Sequence, residues 1–307
     1  MFESTAPLAD IAPRAALLSD EPATILRFLV GAMEAGIACA LATLVEIRGG
    51  SARALGAQMA VRADGLFCGQ VSGGCVEAAV AREAMIAIAN GGDRFLHLGE
   101  GSPFFDIRLP CGGGIRLAIH VLKDDGPVRA ALALIDARRP ATLFYDAATQ
   151  TLGLVHETAR TGWQEDRFLR VYCPAVRALV AGRPMELFAM TELARAAGYD
   201  TFTPAGSGTE AAIDADTAVV ILLHDIDREV PLLIRALESK AFYIGALGSA
   251  RTHERRVAAL KAYGVGAADI ARIRAPIGLF PKARDARTLA LSVVAEIAAV
   301  RSAMMEV

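Results

Sequence analysis

Aromatic side chains are scarce in this chain, at 6% of 307 residues with a single tryptophan. Its cores must therefore be packed mainly from Ala, Leu, Val and Ile. At 54% hydrophobic residues there are enough of them to exclude a largely disordered chain. A surplus of charge is missing as well. The 32 Lys and Arg against 34 Asp and Glu leave a net charge of −2. Such a balance gives no basic field for nucleic acid and no basic patch for an anionic membrane. No run of apolar residues has the length that spans a bilayer. The first residues, from Met1 to Pro7, lack a basic segment followed by an apolar one, so no secretory signal is expected. Cysteine is sparse and unpaired: Cys39, Cys68, Cys75, Cys111 and Cys173 contain no Cys-x-x-Cys, and an odd number gives no disulfide framework. The expected setting is a reducing cytoplasm with thiols free.

Glycine, by contrast, is concentrated around two of those cysteines. One run is Val71-Ser72-Gly73-Gly74-Cys75-Val76-Glu77, the other Leu109-Pro110-Cys111-Gly112-Gly113-Gly114. Glycine lets backbone N–H groups approach a ligand, because no Cβ stands in the way. A thiol there can act as nucleophile, soft metal ligand or sulfur carrier once deprotonated.

The length suits two domains. Residues 1–18 read as a flexible leader, 19–160 as a mixed α+β domain carrying the Gly-Cys loops, 161–172 as a linker, and 173–307 as a Rossmann-like parallel α/β domain. In the first half, a helix starts near Asp20 with Pro22 in its first turn, and Gly36 can end it. Ala38–Ile47 reads as a buried strand, and a hairpin turns at Asp64-Gly65. A helix follows Cys75 and stops at Gly91-Gly92. Strands over 94–98 and 115–122, a helix over 128–138 and a hairpin across 141–155 complete the domain. The second half alternates strands and helices from Val176 to the final helix near 286–304. Such alternation implies a parallel sheet covered by helices.

Ser72-Gly73-Gly74-Cys75 precedes a helix, where free N–H groups and the dipole favour anions and lower a thiol pKa. Cys75 is the stronger thiolate candidate. Its competing reading is a tight strand-to-helix turn with a small buried cysteine. Cys111 is a second thiol near the same ligand, or marks a bend into the next strand. Arg48, Arg53 and Gln58 flank the first polar loop and could contact an anionic ligand, or serve as surface residues on it. Glu77, in the first turn, complements the helix dipole. In the second half, Gly182 ends the first strand where a dinucleotide loop should begin. There Pro184 and Leu187 stand at the later glycine positions, and no acidic residue follows Thr201–Thr203 to hold a ribose. NAD(P) is therefore not expected. His224-Asp225 at a strand end, and Gly245–Ser249 before Arg251-Thr252-His253, mark further ligand or capping positions.

These runs together resemble the XdhC/CoxI family of xanthine dehydrogenase accessory proteins. The resemblance rests on Gly56–Met59, Gly69–Glu77, Leu109–Gly114, Ala241–Ser249, Arg251–His253, Ala275–Leu279 and Ala295–Ile297, in order along the chain. It implies an N-terminal domain with cysteine loops and a Rossmann-like C-terminal domain. It also implies a cytoplasmic chaperone, more than a catalyst, that binds molybdenum cofactor (molybdopterin) as cargo, protects its sulfurated form and delivers it to apo xanthine dehydrogenase or a related hydroxylase. Carried onto this chain, the cofactor-binding residues are Arg53, Gln58, Ser72, Gly73, Gly74, Cys75, Cys111, Gly112 and Gly113, with Cys75 a ligand to the cofactor's molybdenum. A cysteine desulfurase is a further expected partner, and a homodimer would shield the ligand. Two alternatives stand beside this reading: a sulfur-transferase carrying persulfide on Cys75, and a nicotinamide-dependent oxidoreductase. The chain departs from the family where Ala52 and Ala54 flank Arg53 and at the Gly182–Leu187 loop.

Overall fold

The computed structural model describes residues 11–74, 76–99, 112–155, 160–204, 212–280 and 283–306. The chain divides into two compact units, Met1–Pro174 and Ala175–Val307.

The first unit runs through β1 (Arg14–Leu17), α1 (Pro22–Glu34), β2 (Cys39–Arg48), β3 (Gln58–Arg62), β4 (Leu66–Gly69), α2 (Glu77–Asn90), β5 (Arg94–Gly99), β6 (Gly114–Val121) and α3 (Gly126–Asp136). Six strands form one sheet in the order β1-β4-β3-β2-β6-β5. Both its faces are covered, and the alternation along β2 shows how. Ala40, Ala42 and Leu44 join the core that includes Val80, Ala84 and Met85 of α2. Cys39 and Leu41 point the other way, into the core of Ile25, Leu26 and Leu29 from α1 and Val128 from α3. This is the period-two side-chain pattern of a strand buried on both faces. Cys39 and Cys68 are buried there. Burial pushes the Cys39 thiol up to about 11 and removes it from nucleophilic chemistry.

A second, antiparallel sheet follows: β7 (Ala141–Asp146), β8 (Thr151–Val155), β9 (Gly162–Gln164) and β10 (Arg167–Tyr172), in the order β8-β7-β10-β9. It corrects the expected linker over 161–172. β10 pairs with β7 along its whole length, from Arg167 opposite Asp146 to Tyr172 opposite Ala141. Phe168 and Tyr172 are buried. The polar residues Gln164, Glu165 and Asp166 are exposed on the edge strand and turn of a hairpin, with Glu165 at positive φ. The expected leader over 1–18 needs a similar correction, because Arg14–Leu17 pairs in parallel with β4.

The second unit holds β11 (Arg177–Gly182), α4 (Pro184–Ala196), β12 (Asp200–Phe202), β13 (Thr217–Leu222), α5 (Ile226–Glu238), β14 (Tyr243–Ala246), α6 (Ala250–Ala262), α7 (Ala267–Ile270), β15 (Ile273–Arg274) and α8 (Ala286–Glu306). All its strands are parallel, in the order β12-β11-β13-β14-β15. Helices α4 and α8 share one core with the sheet, and α5 and α6 share the other. Every residue of β13 is buried. This is the open doubly wound arrangement whose ligand sites lie beyond the carboxyl ends of the strands.

Candidate functional site

The glycine loops of the first unit leave from connected parts of its larger sheet. β2 ends at Arg48, opposite Gly114 at the start of β6, and Gly99 at the end of β5 faces the same Gly114. After Arg48 the chain turns back. Gly56 donates its N–H to Leu44 O at 2.8 Å, and Leu44 donates to Ala57 O at 2.8 Å. Residues 49–57 thus lie between the other two loops. On one side, a Cβ added to Gly113 would stand 2.4 Å from Gly50 O and 2.5 Å from Arg48 O, so only glycine fits. On the other side, the Arg53 guanidinium donates to the Gln70 side chain and to Asp20 Oδ2 at 2.6 Å, and Ala52 lies against Gly73.

The loop after β4 is organised by one carboxylate. Glu77, the first residue of α2, is buried at 4% exposure and folds back over the loop. It accepts N–H hydrogen bonds from Ser72 at 2.9 Å, Val71 at 3.0 Å, and Gly73 and Val76 at 3.2 Å. The Ser72 hydroxyl donates to it at 2.9 Å. Burial pushes the Glu77 carboxyl up, but the hydrogen bonds from Ser72, its own N–H and Val71 outweigh burial and hold it below its ordinary value. Gly73 and Gly74 take φ of 101° and 110°, which side-chain-bearing residues avoid. Their glycine identity is therefore needed for the turn itself.

This geometry revises the sequence expectations. The N–H groups of Ser72 and Gly73 were expected to cradle a ligand anion, yet Glu77 already fills that cradle. Glu77 does more than complement the helix dipole. Gln58 was expected to face the cofactor. Instead it is buried, donating to Thr43 Oγ1 at 3.1 Å and accepting from the Tyr172 hydroxyl at 2.8 Å, where it ties β3 to β2 and β10. Arg53 is brought to Gln70 at the start of the Ser72–Gly74 loop, and Gly113 beside residues 48–50, whereas Gly112 faces open space. Arg48 is largely exposed and pairs with Glu46 at 2.8 Å. Cys75 and Cys111 lie outside the described residues. Glu77, Gln70 and Asp20 were missed as organising residues. A glutamate opening a helix directly after a Ser-Gly-Gly run was the available signal, since such a carboxylate can reach back to orphan N–H groups.

In the second unit a cleft of about 630 Å³ opens beyond β13 and β14, lined in part by His224, Asp225, Asp227, Gly248, Thr252 and Arg255. The helix starts around it are capped from within: Asp225 accepts from Asp227 N at 3.0 Å and Ser249 from Thr252 N at 3.3 Å. Beneath it, Arg256 and Glu229 form a fully buried pair, with Nε donating at 2.9 Å and a second nitrogen at 3.1 Å. Arg256 also donates to Leu247 O at 2.7 Å. Burial, then the Arg256 charge, holds His253 below its ordinary value against the pull of Glu229. At the end of β11, Gly182 is followed by Arg183 as the N-cap and Pro184 as the first residue of α4. Among the described residues, no group of three or more His, Cys, Asp or Glu could hold a metal ion. Among them too, no helix is long and apolar enough to cross a membrane.

The two units thus define a class: a mixed α/β domain with glycine-rich loops, joined in one chain to a doubly wound parallel domain. The chain belongs to the XdhC and CoxI family, whose model matches residues 32–99, while the XdhC Rossmann domain model matches residues 175–297. It is 51% identical over 291 residues to the molybdenum cofactor insertion chaperone PaoD of Escherichia coli K12, across 94% of this chain and 92% of that protein. It is 28% identical over 266 residues to the uncharacterized protein YqeB of the same organism, across 86% of this chain and 43% of YqeB. A crystal structure from Bacillus halodurans, described as a xanthine dehydrogenase, superposes with a TM-score of 0.73 at 19% identity. It covers 92% of this chain and 96% of that one. That likeness establishes a shared fold.

Proposed function

We propose that this protein binds molybdenum cofactor as cargo on the glycine-rich loops of its first unit and inserts it into an apo molybdenum hydroxylase of the xanthine dehydrogenase type. The observation that carries this reading is the near full-length similarity to a molybdenum cofactor insertion chaperone. The packing of residues 48–53 against both Gly73 and Gly113 supports it, since it joins the two glycine runs through one loop. In this reading Cys75 and Cys111 supply thiolates to the metal-bearing end of the cargo, which suits soft ligands. Arg53 supplies a cation, with Asp20 and Gln70 holding it until an anionic group competes. Gln58 acts only through the core beneath the loops.

The test is molybdopterin bound per chain, together with activation of an apo-dehydrogenase, for the wild type, Cys75→Ala and Cys111→Ala. Binding and activation should fall in both variants, further in Cys75→Ala. Unchanged values in both variants would remove the thiols from the site. A wild type that binds no cofactor would remove the function itself.

A further inference from the structure

The geometry points to Glu77 as a built-in anion: a positioning residue whose carboxylate takes, at the start of α2, the place that a ligand phosphate would otherwise have. Four N–H groups converge on it at 2.9–3.2 Å, and the Ser72 hydroxyl completes the set. Converging N–H groups before a helix make a standard anion site. Here the chain supplies the anion itself. The N-cap residue Val76 has no side chain able to do so. A second anion in the same cradle would meet a full negative charge in buried surroundings, where repulsion is strong. The loop's curvature comes from the positive φ of Gly73 and Gly74 and needs no ligand to set it.

This deepens the proposed function and rests on it in one respect, the orientation of the cargo. Molybdopterin carries a phosphate at one end and its metal at the other. With Glu77 in the cradle, that phosphate is held elsewhere. The N–H groups of Val71, Ser72, Gly73 and Val76 hold the carboxylate of Glu77, not the cargo's anion.

The experiment uses the full chain without cargo. Hydrogen exchange is followed at the amides of Val71, Ser72, Gly73 and Val76 in the wild type and in Glu77→Ala, with the thermal midpoint read alongside. Exchange at these amides should accelerate about ten- to hundredfold in Glu77→Ala, the loss expected when hydrogen bonds to a charged acceptor are removed. Added formate or inorganic phosphate should slow it again in Glu77→Ala and leave the wild type unchanged. Acceleration without rescue by either anion would assign Glu77 a packing role and overturn the inference. Wild-type exchange that responds to phosphate would overturn it too, because a ligand anion would then displace the carboxylate. If Glu77→Ala does not fold, Glu77→Gln keeps the shape and removes the charge. Faster exchange in that variant supports the inference, and wild-type exchange contradicts it. None of these measurements needs cofactor, so a failure of cofactor binding would strike the proposed function and leave this result standing.

Discussion

Each unit buries a glutamate next to a strand-to-helix loop, and the two are partnered differently. In the second unit Glu229 meets Arg256, at 1% and 0% side-chain exposure, and the arginine extends the contact to Leu247 O. In the first unit the Glu77 carboxylate is met by backbone N–H groups and one hydroxyl. A buried ion pair locks two helices and a loop but leaves nothing over for a ligand. A carboxylate held by backbone dipoles keeps its negative charge and occupies the N–H groups that a ligand anion would otherwise use. The difference separates a pair that ties helix to helix from a carboxylate that ties a helix back to its own preceding loop.

The largest effect expected from breaking this comparison lies in the second unit. Glu229→Ala leaves Arg256 charged, buried and unpaired, and should cost about 3–5 kcal/mol. Replacing both partners with apolar residues of similar volume should recover most of that loss. Urea unfolding of the single and double variants measures it. A single variant as stable as the wild type would show the pair to be dispensable.

A smaller effect should appear at the Glu77 carboxylate as pH falls. Its folded-state pKa lies below the ordinary 4.5. Its stabilisation is therefore complete above about pH 4.5 and is lost as pH drops through the folded value. The stability difference between the wild type and Glu77→Gln should be flat near neutral pH and shrink in acid. A difference that grows on acidification would place the folded pKa on the other side and contradict the hydrogen-bond account.

Much of this was legible in the sequence. Alternation of strands and helices gave the parallel sheet of the second unit, and Asp64-Gly65 and Gly91 marked a real turn and a real helix end. The glycine runs marked a real junction, because Gly113 packs on the backbone of residues 48–50. What escaped depended on partners distant in sequence. β1 is a strand because Leu66–Cys68 pairs with it, and β10 is one because β7 lies beside it. Gln58 looked like a ligand residue because its polarity is visible in the sequence and its partner Tyr172, in a segment read as linker, is not. Glu77 was misjudged for the opposite reason: its partners are adjacent, but they are backbone N–H groups, which a string of side chains does not display.

The central claim is tested most directly by transfer. The protein is loaded with molybdenum cofactor, freed of unbound cofactor, and mixed with an apo-dehydrogenase in the presence of an excess of a scavenger for free cofactor. The account predicts that dehydrogenase activity appears and that the molybdenum leaves this chain as it does so. Activity that the scavenger abolishes, or cofactor that stays on this chain, would contradict it.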